Sequence, residues 1–129
     1  MNDSNSYRAA GAALLALSIG LGAFGAHGLK NLLPPPSLES YRTGVEYLMF
    51  QSLGLLALQH SKWVAWLLLA GTACFSGSIF LLSTQSLHGL PVSWLGPITP
   101  IGGLLLMLAW GLCAYQLFIS KSEKSAVSK

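Results

Sequence analysis

Between Trp63 and Ser120 no residue carries a charged side chain. A water-facing surface cannot be assembled from such a stretch. As one helix, at about 1.5 Å per residue, it would far exceed the about 30 Å of hydrocarbon in a bilayer. It must cross, turn and cross again. A second charge-free run, Ala9 to Leu29, adds another crossing. Over the whole chain only 9% of residues are charged, where a soluble domain carries about a quarter. A soluble enzyme, a nucleic-acid module and a disordered tail are excluded together. The chain reads as an integral membrane protein whose first partner is the lipid bilayer.

The formal net charge of +3 does not reopen the case for nucleic acid. The basic residues stand singly at helix ends and in tails, which suits anionic headgroups and not a phosphate-tracking stripe, so no nucleic-acid partner is expected. Cys74 and Cys113 lie inside apolar runs without a CxxC pair and read as small packing residues, expected at similar depth.

The pattern predicts an all-α, four-helix transmembrane bundle as one domain over residues 1–129. Its helices are expected at about 8–29, 42–61, 63–82 and 99–120, before a polar tail over 121–129. Helix 1 is flanked by Arg8 and Lys30. A secretory signal peptide is its rival reading, with Ala23-Phe24-Gly25 as the small-x-small site. The run stays apolar up to Lys30, which favours a retained helix. Pro34, Pro35 and Pro36 are expected to forbid regular helix, with Ser37 capping the segment that leads into helix 2. Helix 2 has its uncharged run only from Tyr47 to Ser61, so Glu46 is drawn to the membrane boundary. Trp63 and Trp66 anchor the start of helix 3 beside Lys62. His88-Gly89-Leu90-Pro91 and Trp94 read as loop, and Thr99-Pro100 as a helix start with Thr99 the cap.

Four crossings put both termini on one side. Arg8, Lys62, Lys121, Lys124 and Lys129 then share a face, against Lys30 and Arg42 on the other. The bias predicts N-in/C-in topology in a bacterial inner (plasma) membrane.

Depth along each helix places the polar atoms. His27, Glu46, Tyr47, Gln51, Ser76, Ser78 and Thr99 all fall in the outer half, which predicts an outward-facing polar cluster with His27 and Glu46 as partners. Ser18 and Gln59 are the exceptions in the inner half, and His60 reads as an inner interfacial residue. Gly22, Gly25, Gly77, Gly102 and Gly103 supply close helix packing. Small residues four apart, such as Ala12, Ala16 and Gly20, serve the same purpose.

Gly22-Ala23-Phe24-Gly25-Ala26-His27-Gly28-Leu29 resembles the small inner-membrane family known as domain of unknown function 423, the YgdD type. Three further stretches agree in order: Thr43-Gly44-Val45-Glu46-Tyr47, Phe75-Ser76-Gly77-Ser78 and Thr99-Pro100-Ile101-Gly102-Gly103. The resemblance implies a four-helix inner-membrane bundle and no particular reaction. Family members often place a histidine shortly after the Glu-Tyr pair, where this chain has Gln51. That departure weakens a proton relay on helix 2.

No catalytic motif, metal site or cofactor is expected. His27, His60 and His88 are scattered, and no nucleophile has a base beside it. His27 and Glu46 form either a structural tie between helices or a proton-transfer or ligand pair. The function expected is structural or accessory: membrane integrity, lipid binding, or stabilising a larger complex. Other membrane subunits or a second copy are its further partners. The alternative is a small oligomeric transporter or channel using the outer cluster.

Overall fold

The structure, a computed structural model, describes the backbone of residues 3–57 and 61–127 and the side chains of residues 5–57 and 61–121. Gln59 and His60 lie outside the described residues. Every element is a helix among those described: α1 (Asp3–His27), α2 (Pro35–Ala57), α3 (Lys62–Ser83), the single turn α4 (Gln85–His88), a 3-10 turn (Ser93–Leu95) and α5 (Ile98–Val127).

The boundaries follow from local chemistry. Leucine and alanine, good helix formers, dominate α1, which ends where the Gly28 and Leu29 amides both turn back to the Phe24 carbonyl at 2.7 and 3.0 Å. The prolines do not hold helix off as expected. Pro35 and Pro36 occupy the first turn of α2, where a missing N–H costs nothing. The helix therefore begins seven residues before the expected position 42, and Ser37 lies inside it instead of capping it. Ser61 caps α3, its hydroxyl accepting from the Val64 amide at 3.4 Å. Thr99 is not a cap, because α5 already starts at Ile98. Nor does α5 stop at Ser120. No Gly or Pro interrupts the residues after it, so helix continues to Val127 through residues expected to form a tail.

The long helices are packed in chain order. α1 lies on α2, α2 on α3 and α3 on α5, while α1 only grazes α3 and shares no backbone contact with α5 among the described residues. Two apolar clusters hold this layer. At one end Leu55, Val64, Ala65, Leu68, Leu106 and Ala109 pack together. At the other, Leu29 and Leu33 of the α1–α2 link pack against Leu38, Tyr41 and Val45. This second end also carries Pro34 to Pro36 and Pro100, and is termed the proline end. Trp94 is exposed there, and Trp63 and Trp66 are exposed at the opposite end, the disposition of aromatic belts at two interfaces.

Three segments are long and apolar enough to cross a bilayer: Asn5–His27, Lys62–Ser83 and Ser93–Lys121. α2 is left out of that group, carrying Glu39, Arg42 and Glu46 in its first half. Cys74 and Cys113 are both free. They are not at one depth: Cys74 touches the position of Gly102, and Cys113 lies about 16 Å further along α5.

Candidate functional site

Apart from His27, the residues expected to form one outer cluster are distributed over three seams. The first is the α1–α2 groove. Gly25 faces Tyr41 so closely that a Cβ there would meet its ring at 2.7 Å, and Gly22 faces Val45 at 3.4 Å. The Tyr41 hydroxyl donates to the Leu21 carbonyl at 3.0 Å and ties the helices together. With Arg42 and Glu46 these residues line a groove of about 170 Å³. His27 is not part of it. Two residues beyond Gly25 is about 200° around the helix, so His27 points away from α2. His27 and Glu46 are both exposed and share no hydrogen bond or ion pair among the described residues.

The second seam joins α2 to α3 and α5. Tyr47 sets its ring against Phe75, centroids 4.5 Å apart. Gln51, buried, accepts a hydrogen bond from the indole N–H of Trp110 at 2.8 Å. The indole reaches it by lying over Gly54, where a Cβ would fall 2.6 Å from the ring. On α3, Thr72 and Ser76 stand one turn apart, both buried, and neither hydroxyl has a hydrogen-bond partner among the described residues. Ser52 and Ser18, equally buried, donate to their own helices, to Leu48 O at 2.6 Å and Leu15 O at 2.7 Å.

The third seam joins α3 and α5 at the proline end. Ser78 donates to Phe75 O at 3.0 Å, and its oxygen lies 2.6 Å from the Thr99 hydroxyl, which then acts as donor. Beside this bridge the backbones touch. A Cβ on Gly102 would sit 2.5 Å from Phe75 N and 2.9 Å from Gly71 O. Gly103 lies in ordinary contact with the Phe75 ring, and Gly77 faces open space. A shallow depression of about 370 Å³ beyond the bridge is lined by Pro36, Ser37, Ser40, Leu82, Ser83 and Thr99, among others. No group of three His, Cys, Asp or Glu side chains converges among the described residues.

Several residues in these seams escape a reading of the sequence by depth. Trp110 had a usable signal: an indole N–H inside an apolar run needs an acceptor. Thr72 offered none beyond its four-residue spacing from Ser76.

The four motif stretches that line these seams run in order from the end of α1 to the start of α5. Residues 21–103 match the family model described as "Protein of unknown function (DUF423)". The chain belongs to the DUF423 family. It is 38% identical over 110 residues to the UPF0382 membrane protein YwdK of Bacillus subtilis (strain 168), covering 78% of this chain and 85% of that one. It is 42% identical over 105 residues to the UPF0382 membrane protein C1782.12c of Schizosaccharomyces pombe, covering 73% and 86%. A UPF0382 membrane protein of Haemophilus influenzae is 38% identical over 123 residues, 84% of this chain and 94% of its own. No solved structure matches. This DUF423 protein is therefore a small membrane protein.

Proposed function

We propose that the protein is a structural or accessory component of the bacterial inner membrane, a four-span scaffold with both termini in the cytoplasm. It would support membrane integrity, hold lipid, or stabilise a larger membrane complex. The observation that carries this reading is where the polar contacts go. Ser78–Thr99, Gln51–Trp110 and Tyr41–Leu21 each join one helix to another, so side chains that would line a path serve instead as ties in hydrocarbon. The fourth span is α2. It lies flank to flank with α1 and α3, and its charges, Glu39, Arg42 and Glu46, run from its proline end no further than its midpoint. The five-to-two basic bias gives the orientation.

The experiment is a permeability assay in cells lacking the protein. Leakage of a small dye across the inner membrane is expected to rise, and to be restored by the wild-type chain but not by Gly102→Leu. Purified protein in liposomes is expected to move no ion or small solute faster than protein-free liposomes.

The unpartnered Thr72 and Ser76 hydroxyls favour a second reading, a small oligomeric transporter or channel. Solute flux in liposomes that is lost on Glu46→Gln and kept on Lys124→Ala would establish it and displace the scaffold.

A further inference from the structure

We propose that His88 is a pH-sensitive latch on the connection between α3 and α5. Its neutral ring ties the end of α3 to Leu90, and protonation of the ring releases Leu90. The proposal needs neither the scaffold nor the transporter reading.

The tie consists of two hydrogen bonds. The Leu90 amide lies 3.0 Å from His88 Nδ1, and His88 Nε2 lies 3.0 Å from the Leu81 carbonyl oxygen. A backbone amide can only donate, so Nδ1 is the accepting nitrogen and carries no proton. The proton of the neutral ring is therefore on Nε2, which donates it to Leu81 O. These partners leave the ring one tautomer, and only the neutral form keeps both bonds.

The backbone on either side is arranged for this. Leu81 O lies in the last turn of α3, where carbonyls run out of helical amides to accept from. Gly89, with φ 65°, takes the left-handed conformation that turns the chain back, so that the next amide reaches the ring. Further along, Val92 and Leu95 are buried, and the 3-10 turn packs on both α3 and α5. The free part of the connection is thus the stretch around Leu90.

A proton added at Nδ1 would set one donor against another, and the Leu90 bond is lost. Nε2–H stays on Leu81 O, and a cation suits the C-terminal end of α3. One arm opens while the other holds. The tie is therefore complete at high pH and half-undone in acid. No neighbour titrates in its place: His88 is the one titratable or charged residue from Thr84 to Pro97. Among the described residues α4 packs on α3 alone. The last titratable side chain of α3, Cys74, is about two turns below Leu81, and the first on α5 is Cys113. His88 is half-buried and lies outside the three apolar segments, where protons can reach it.

The test is nuclear magnetic resonance of the full chain, labelled with nitrogen-15, in detergent micelles. From about pH 8 to about pH 5, across the ordinary histidine range, the Leu90 amide proton is expected to move upfield. It should follow the same one-proton curve as the His88 ring. Two variants fix the end states. His88→Asn offers an oxygen that accepts from the amide two residues on at any pH, so Leu90 should stay downfield throughout. His88→Lys can only donate, so Leu90 should stay upfield throughout. At the upper pH its amide should exchange with water about fivefold faster than in the wild type, the ratio that one net hydrogen bond supports.

A Leu90 resonance that stays still while the His88 ring titrates would overturn the proposal. So would wild-type exchange at Leu90 in His88→Lys. The Leu95 and Gly96 amides, held on the Val92 and Ser93 carbonyls, should not move. An equal shift there would assign the change to general loosening in acid and sink the latch.

Discussion

The α3–α5 seam and the α1–α2 seam both depend on glycine, but they close at different levels. α3 and α5 meet near the middle of α3, where Gly102 brings backbone against backbone about one turn from the Ser78–Thr99 bridge. α1 and α2 meet at the end opposite the proline end, where a Cβ on Gly11 would stand 2.9 Å from Ser52 O and 3.1 Å from Leu56 N. Toward the proline end Gly22 and Gly25 face side chains instead, Val45 and the ring of Tyr41. The same residue type thus performs two tasks. Where backbone is the neighbour, the missing side chain lets helix touch helix; where a ring is the neighbour, as at Gly25 and Gly54, it lets the ring lie flat against the helix.

Substitutions sharpen that contrast, read by denaturant unfolding in detergent micelles followed by circular dichroism. Gly102→Leu is expected to cost most, about 3 kcal/mol or more, because helix backbones cannot step aside as a side chain can. Gly11→Ala should rank second at about 2 kcal/mol for the same reason. Gln51→Leu should cost about 1.5 kcal/mol by leaving the Trp110 N–H without its acceptor at the edge of the hydrocarbon-facing surface. Ser78→Ala is expected at about 0.6 kcal/mol, the average for a hydrogen bond between membrane helices. Gly77→Ala should be smallest, within about 0.5 kcal/mol and toward stability, since nothing lies within 4 Å and alanine restricts the unfolded chain. A cost for Gly77→Ala comparable to Gly102→Leu would break the distinction between the two kinds of glycine.

Depth was legible in the sequence and azimuth was not. The uncharged runs locate α1, α3 and α5, because hydrocarbon tolerates no other composition. Ser78 and Thr99 read as sharing one level and do form a bond. His27 and Glu46 read as sharing a level too. Yet Gly25 spends the α2-facing side of α1, and His27 is turned about 200° from it. Gln51 finds its partner on α5, a helix whose position beside α2 no local pattern announces. The start of α2 was missed for a different reason. Three prolines in a row read as a break, although the first turn of a helix has no use for the amides they lack.

Two side-chain bridges reach α5, at Thr99 and at Trp110. Eleven residues make three turns and about 20°, so these anchor points share one edge of the helix, about 16 Å apart along its axis. A rod pinned twice along one edge can neither roll about its length nor swing at one end without breaking a pin. Its rotational setting is therefore fixed by two modest hydrogen bonds, leaving the remaining circumference of α5 free to present leucine, methionine and phenylalanine to hydrocarbon.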